Sequence, residues 1–243
     1  MKMLFVADLH YTLRQFDWLL GVAKNHELIV IGGDLLDLSS VLSVDVQIVV
    51  VEKYLRRLRA LTRALVCSGN HDLDGHNAAG EAVAAWLQEL RTENLFVDGT
   101  SAEFFDTLLT ICPWWDGPVS RMEVEAQLAM QAGRNWRRWI WVYHAPPSDA
   151  AVCWNGREFV GDEFLRGWIE RWAPDIVLSG HIHNAPFYKE GSWVDRINKT
   201  WVFNVGRQPG PFPTCISLDL DTMTARWTSV EKQSIQRLAL MNG

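Results

Sequence analysis

Aspartate, asparagine and histidine residues recur in short motifs along the first three quarters of the chain. Five of the seven histidines belong to these motifs, and each motif follows an apolar run. In order, the motifs are Asp8-Leu9-His10, Gly33-Asp34, Gly69-Asn70-His71-Asp72, Tyr143-His144 and Gly180-His181-Ile182-His183. Carboxylate, amide and imidazole groups bind divalent cations, and this set can hold two of them around one shared carboxylate. The pattern therefore predicts a site for two metal ions.

The spacing within the motifs supports this prediction to different degrees. Residues two apart on an extended chain point to the same side, so Asp8 and His10 can bind one ion. His181 and His183 likewise face a common pocket, where each can serve one metal. Asp-x-His and Gly-Asp motifs are common by chance when taken alone. His144 alone would be interpreted as a packed histidine, and only its place in the series makes it a candidate ligand.

The motif Gly69-Asn70-His71-Asp72 is the more specific signal. An amide oxygen from Asn70 can coordinate a cation without adding charge, while His71 stays free to reach a substrate. Asp72 is then expected to hold the His71 imidazole. The motif predicts a catalytic group placed directly beside a metal ligand.

Apolar runs and amphipathic stretches alternate in the first half of the chain. They predict strands at 3–8, 28–33, 64–69 and 95–97, and helices at 14–25, 45–62 and 78–91. The second helix is expected to bury a face formed by Val46, Val49, Val50, Leu58 and Leu61. This rhythm is typical of a parallel sheet, in which reactive groups collect at the carboxyl ends of the strands.

The second half of the chain has more strands than helices. Strands are predicted at 104–112, 139–144, 175–180, 200–205, 214–220 and 224–229, with helices near 121–134 and 162–172. Together the two halves predict an α/β fold, a four-layer α/β/β/α sandwich of two mixed sheets flanked by helices. No internal repeat or linker interrupts it, so we expect residues 1–243 to form a single domain.

Composition narrows the classes of partner. The chain has 243 residues, 48% of them hydrophobic, and a formal net charge of −6, which disfavours the broad phosphate-neutralising surface that extended nucleic acid requires. No run of about 18 apolar residues occurs, so we expect a cytoplasmic protein that does not enter a membrane. The four cysteines are widely separated, which indicates reduced thiols. Oligomeric state is left open.

The motifs, in this order, resemble those of the calcineurin-like metallophosphoesterase superfamily. The resemblance runs from residue 8 to residue 183 and fills every motif position. It implies a first ion bound by Asp8, His10, Asp34 and His183, and a second bound by Asp34, Asn70, His144 and His181. It also implies that Asp34 bridges the two ions and that His71 acts as the acid beside them, oriented by Asp72. The chain departs from many relatives at Asn204-Val205-Gly206-Arg207, after the last motif.

The resemblance implies a phosphoester hydrolase in which a hydroxide shared by two cations attacks phosphorus in line with the leaving oxygen. His71 would donate to that oxygen. A site of oxygen and nitrogen ligands suits Mn, Fe, Zn or Ni better than Ca, and we expect Mn. The expected substrate is a small phosphodiester or nucleotide, contacted by Asn70, Trp115, Arg157 and Arg207.

Other functions remain open at this point. A phosphomonoesterase or a nuclease could use the same site, and a two-metal hydroxide could also attack an amide or a lactone. A non-catalytic scaffold on the same fold is disfavoured because no ligand position is missing.

Overall fold

The computed structural model describes residues 1–134 and 136–238. The strands are β1 Lys2–Val6, β2 Leu28–Gly32, β3 Arg63–Cys67, β4 Gly75–His76, β5 Ala82–Val83, β6 Leu95–Phe96, β7 Ser101–Phe104, β8 Thr107–Ile111, β9 Arg138–Val142, β10 Ile176–Ser179, β11 Val194–Ile197, β12 Thr200–Asn204, β13 Cys215–Asp219, β14 Thr224–Thr228 and β15 Gln233–Arg237. The α-helices are α1 Leu13–Val22, α2 Val44–Arg59, α3 Ala85–Gln88, α4 Pro118–Gln131 and α5 Glu163–Trp172. Short 3-10 helices span Ala23–Asn25, Ala151–Cys153 and Ala185–Phe187.

The strands form two large mixed sheets. One has seven strands in the order β15-β14-β13-β1-β2-β3-β6, and the other has six in the order β11-β12-β10-β9-β8-β7. Each sheet contains a run of parallel strands. In the seven-stranded sheet this run is β1-β2-β3-β6, and in the six-stranded sheet it is β12-β10-β9-β8. Antiparallel strands flank each parallel run. The carboxyl ends of the parallel strands therefore meet at one edge of each sheet.

Three hydrophobic cores show that the layers are stacked as α/β/β/α. Strand β1 illustrates this, because Met3 and Phe5 belong to the core between the sheets while Leu4 and Val6 face α1 and α2. A third core lies between the six-stranded sheet and helices α4 and α5. Strands covered on both faces must be apolar throughout, which explains the uninterrupted apolar runs of the sequence. The predicted four-layer fold is confirmed.

One predicted helix is wrong, and one predicted strand is interrupted by a turn. Residues 78–91 form the end of the β4–β5 hairpin and the short helix α3 in place of one long helix. Asn77 and Gly80 cause the difference, because the Asn77 side chain accepts the amides of Ala79 and Glu81 and Gly80 turns with φ +81°. The single strand expected at 104–112 is the hairpin β7–β8, which reverses at Phe105 with φ 57°.

Helix α2 forms close to the predicted range and buries Leu58 as predicted, but the rest of its buried face differs. Val46 and Val49 are 48% and 54% exposed, whereas Val51 and Leu55 are buried together with Gln47. Hydrophobicity alone could not place Gln47 in the interior, because its amide is satisfied by backbone groups of the preceding loop.

None of the helices that the structure describes is long and apolar enough to cross a membrane.

Candidate metal centre

The motif residues lie in the loops that follow five parallel strands. Asp8 follows β1, Asp34 follows β2, Asn70 follows β3, His144 follows β9 and His181 follows β10. The first three strands belong to the seven-stranded sheet and the last two to the six-stranded sheet. The site therefore requires both sheets.

Three hydrogen bonds join the motif loops across the sheets. The backbone amide of His181 donates to both carboxylate oxygens of Asp8, at 3.0 and 3.1 Å. Nδ1 of His144 lies 2.7 Å from the carbonyl oxygen of Gly32, to which it donates. Because this bond keeps a proton on Nδ1, the proton that His144 must release to bind a cation is the one on Nε2, whose lone pair then faces the site.

One group of side chains matches the first predicted metal subsite. Single ligating atoms of Asp8, His10, Asp34 and His183 all lie within 4.8 Å of one another. Nε2 of His10 and Nε2 of His183 are 3.1 Å apart, and Nε2 of His183 is 3.3 Å from Oδ1 of Asp8. Two nitrogens that each lie about 2.1 Å from one cation are separated by about this distance.

A second group shares Asp34 with the first. Ligating atoms of Asp34, His144 and His181 lie within 4.8 Å of one another, and Nε2 of His144 is 3.1 Å from Oδ2 of Asp34. Oδ1 of Asn70 and Nε2 of His144 are buried and have no aligned hydrogen-bond partner among the described residues. Buried polar atoms are rarely left unpaired, so these two atoms are suited to bind a cation.

Several ligand residues adopt left-handed backbone conformations. Asp8, His10, Asp34 and His181 have φ values of 57°, 41°, 53° and 67°. Such values cost a non-glycine residue roughly 1 kcal/mol or more, and they cluster where side chains are held for a function. Gly69 also approaches the site closely, because a Cβ there would collide with the Asp34 carboxylate.

The charges at the site leave two imidazoles neutral. Burial lowers the pKa of His10 to about 4 and, with the charge of His144, that of His181 to about 4. Burial also acts on His144, but the Asp34 carboxylate outweighs it and raises the pKa of His144 to about 9. His144 in turn holds the pKa of Asp34 well below its usual range, against the effect of burial. His10 and His181 can therefore accept a cation without losing a proton.

His71 lies beside these groups. Its ring meets that of His10 edge-on, with the centroids 4.6 Å apart, and its backbone amide donates to Oδ1 of Asp34 at 3.0 Å. Nδ1 of His71 accepts the amide hydrogen of Leu38 at 3.3 Å.

The structure does not place Asp72 as the partner of the His71 imidazole. Asp72 is fully buried, and its carboxylate accepts the backbone amides of Leu35, Leu36 and Gly69 at 2.8–3.0 Å. It ties the loop after β2 to the loop after β3. The prediction failed because a carboxylate adjacent to a histidine in sequence finds closer donors in the turn backbone.

Asp37 is the carboxylate that lies next to His71, and the sequence reasoning missed it. Its oxygen and the ring nitrogens of His10 and His71 fall within 4.8 Å of one another. The signal that could have found it is its position three residues after Asp34, in the same loop.

Among the aromatic residues, Trp114 lies at the site in place of the predicted Trp115. The Trp114 ring is 5.5 Å from that of His181 and 5.8 Å from that of His144. Trp115 instead stacks on Tyr143 at 3.8 Å, which covers one face of its ring.

The two predicted arginine contacts differ in position. Arg157 is exposed in the turn that Asn155 forms, and no described contact joins it to the metal-binding groups. Arg207 is at the site, since its Nε donates to the carbonyl oxygen of Asp8 at 3.2 Å. The sequence offered no means of separating the two, because both are arginines in polar loops.

Comparison with known proteins agrees with this geometry. A family model described as calcineurin-like phosphoesterase matches residues 1–185, so the chain belongs to that family. Family membership makes the protein a phosphoesterase. No curated protein matches the chain.

Solved structures with low sequence identity share the fold. The protein TT1561 of Thermus thermophilus is similar with a TM-score of 0.60 and 13% identity over 98% of this chain and 99% of that one. A dimetal phosphatase from Danio rerio has a TM-score of 0.56 and 9% identity, with 98% and 99% covered. The purple acid phosphatase PPD1 from yellow lupin (Lupinus luteus) seeds has a TM-score of 0.58 and 13% identity over 98% of this chain and 51% of that chain.

Proposed function

We propose that this phosphoesterase is a single-domain hydrolase of small phosphodiesters or nucleotides that works with two divalent transition-metal ions. One observation carries the proposal. The buried Asp34 carboxylate belongs to two groups of ligating atoms, each compact enough for one ion. A single carboxylate shared in this way is what a two-metal site needs.

The donor set decides which ions fit. Four imidazoles, two carboxylates and one amide favour Mn, Fe, Zn or Ni over Ca, and we expect Mn²⁺. When bound, two such ions supply a hydroxide nucleophile at neutral pH and neutralise the phosphoryl oxygens.

His71 is proposed as the donor to the leaving oxygen. Because Nδ1 accepts the Leu38 amide hydrogen, the ring proton of the neutral form is on Nε2. The Asp37 carboxylate lies beside the ring. His71 can thus donate a hydrogen bond or a proton from Nε2, while Asn70 and Arg207 are the side chains we propose as further substrate contacts.

We also propose a cytoplasmic location. All four cysteines are buried and unpaired, which suits a reducing compartment.

The test combines metal analysis with hydrolysis of three substrates in Mn²⁺: bis(p-nitrophenyl) phosphate, p-nitrophenyl phosphate and single-stranded DNA. We expect close to two ions per chain and the highest kcat/KM on the diester. Asp34→Asn should lose most of the metal and the activity, because no other carboxylate serves both subsites. Asp45→Asn, at an exposed position on α2, is the matched control.

Each alternative has its own outcome in this experiment. Full metal content and activity in Asp34→Asn would overturn the assignment of Asp34. Preference for the monoester or for DNA would replace the substrate class. Metal binding without hydrolysis of any phosphoester would reject the proposed activity.

A further inference from the structure

A cavity of about 400 Å³ opens beside the first metal subsite. Its lining includes Asn184, which follows the ligand His183, and Arg207. Phe187, Val230 and Glu231 also line this cavity. We call this space the Arg207 cavity. None of the predicted metal ligands is part of its wall.

The Arg207 guanidinium is held at the edge of the metal centre. Its Nε donates to the carbonyl oxygen of Asp8, and its backbone amide donates to the carbonyl oxygen of His183 at 3.1 Å. Arginine has five N–H donors, and the four on its terminal nitrogens have no partner among the residues that the structure describes.

The loop that carries Arg207 folds back against His183. The Asn204 side chain is fully buried, donates to the carbonyl oxygens of Val152 and Ile182, and accepts the amide of Gly206 at 2.8 Å. Gly206 has φ +66°, and a Cβ there would lie 2.9 Å from the carbonyl oxygen of His183. The conformation that places Arg207 therefore depends on Asn204 and Gly206.

The remaining wall favours an organic group next to an anion. Phe187 is half-buried and meets Trp227 edge-on at 5.5 Å, while Val230 is 69% exposed at the opening. The Asn184 side chain is exposed and supplies an amide for hydrogen bonding. Glu231, also exposed, is the one negative charge among these lining residues and opposes anion binding at the rim.

We propose that the Arg207 cavity binds a second anionic group of the substrate, attached to an apolar or heteroaromatic body. The preferred substrates are then phosphoesters that carry a further phosphate, of the nucleoside bisphosphate or diphosphate kind. This inference rests on the proposed function and names its substrate class. A guanidinium with terminal N–H pairs binds phosphate in a bidentate manner, and one charge-assisted pair is worth about tenfold to a hundredfold in affinity.

Arg207 acts on this second group and not on the phosphate that is cleaved. The cleaved phosphate would lie on the cations held by the two ligand groups that share Asp34, whereas Arg207 lies outside the ligand set, against Asp8 and His183. The two roles give different kinetics, because a contact to the cleaved group affects every substrate equally.

The experiment uses two substrates that differ only in the second anion. One is the p-nitrophenyl ester of thymidine 5′-phosphate, and the other is the same ester with a 3′-phosphate. We expect the wild-type kcat/KM to favour the 3′-phosphorylated ester by about tenfold or more. Arg207→Gln should remove this preference, and Glu231→Gln should increase it. Arg56→Gln, which removes an exposed arginine on α2, should leave it unchanged.

Equal losses on both esters in Arg207→Gln, or no preference in the wild type, would overturn the inference. Metal content and thermal midpoint of each variant must match the wild type, so that a folding defect is not mistaken for lost recognition. If Arg207→Gln fails this requirement, the Glu231→Gln variant provides the test. An unchanged preference for the 3′-phosphorylated ester in that variant counts against the proposal.

A binding measurement separates this inference from the proposed activity. Calorimetry of the Mn²⁺-loaded protein with inorganic pyrophosphate and with orthophosphate needs no turnover. We expect pyrophosphate to bind about tenfold more tightly than orthophosphate, and Arg207→Gln to abolish the difference. Equal affinities in the wild type would reject the second anion site even if the protein hydrolyses phosphodiesters. The converse result, tight pyrophosphate binding without hydrolysis, would reject only the activity.

Discussion

Single residues at the centre are held by bonds that leave their metal-facing atoms available. His144 uses Nδ1 to bond the Gly32 carbonyl, and Asp8 uses lone pairs to accept the His181 amide. Nε2 of His144 and Oδ1 of Asn70 remain without aligned partners among the described residues. This division of hydrogen bonds fixes the orientation of each ligand before a cation arrives, which reduces the entropy lost on binding.

Replacement of His71 tests its place beside the metal ligands. His71→Ala should keep metal content, because no ligating atom is removed, and slow turnover by about 10²-fold or more for an alkyl leaving group. Nitrophenol needs little protonation, so its ester should lose less. Steady-state kinetics on the two esters measure the difference, and equal losses would assign His71 to charge stabilisation instead.

The two carboxylates near His71 should behave differently. Asp37→Asn is expected to slow turnover in the same leaving-group-dependent way, because Asp37 faces the imidazole. Asp72→Asn should act chiefly on stability, because the Asp72 carboxylate accepts three backbone amides. Chemical denaturation and kinetics of both variants check this, and the reverse pattern would restore Asp72 as the partner of His71.

Asp98 predicts a pH-dependent stability. It is 3% exposed, and burial raises its pKa to about 6, although hydrogen bonds from Ser68 oppose the rise. Below about pH 4 the Asp98 side chain is protonated in the folded and the unfolded state, and its contribution to stability is fully present. As the pH rises through about 6 the buried carboxyl group ionises, and this contribution is lost. Asp98→Asn keeps an acceptor for Ser68 and should be about 2 kcal/mol more stable than wild type at pH 7.5, with the gain fading towards pH 4. Urea titrations at both pH values measure it, and a variant less stable at pH 7.5 would contradict it.

Among the elements, helix α2 contributes a polar anchor to the site. The Gln47 side chain accepts the amide of Asp37 at 2.8 Å and donates to the carbonyl oxygens of Asp37 and Leu42, both at 2.9 Å. These bonds hold the loop from which Asp37 and the Leu38 amide reach His71. The helix therefore positions the groups that contact His71 as well as covering the sheet.

Removal of that anchor should affect both stability and turnover. Gln47→Leu leaves three backbone groups without partners and should cost about 1–3 kcal/mol of the free energy of unfolding. The turnover should fall as the loop loses its fixed position, with metal content retained. Val46→Ala, one residue earlier and 48% exposed, should change stability by less than about 0.5 kcal/mol. Denaturation curves for the pair check the prediction, and equal effects would show that Gln47 does not anchor the loop.

Over the whole molecule, the net charge of −6 bears on substrate size. If the substrate is small, activity should change only modestly between about 50 and 200 mM salt, whereas neutralising six or more phosphates would cost roughly 10³-fold in affinity. Hydrolysis measured across that range tests the prediction. A steep dependence on single-stranded DNA, removed by changing Arg134, Arg137 and Arg138 together, would move the protein into the nuclease class.

Much of the fold could be predicted from the order and length of apolar runs. Strands β1, β2 and β3 are apolar because they are covered on both faces, so their positions could be predicted from hydrophobicity. Residues 78–91 could not, because local hydrogen bonds of Asn77 and the turn at Gly80 prevail over a helical pattern. The buried face of α2 was predicted only in part for a related reason. Gln47 is buried although it is polar, because backbone groups of the preceding loop satisfy its amide.

The sequence by itself determined which residue types supply the centre, because each motif is local and follows a strand whose end can be predicted. Only the tertiary structure decided which neighbours those residues have. Whether Asp37 or Asp72 faces His71, and whether Trp114 or Trp115 faces the ligands, depends on how loops from two sheets meet. Arg207 reaches Asp8 across 199 positions of sequence, and short-range patterns do not encode contacts of that separation.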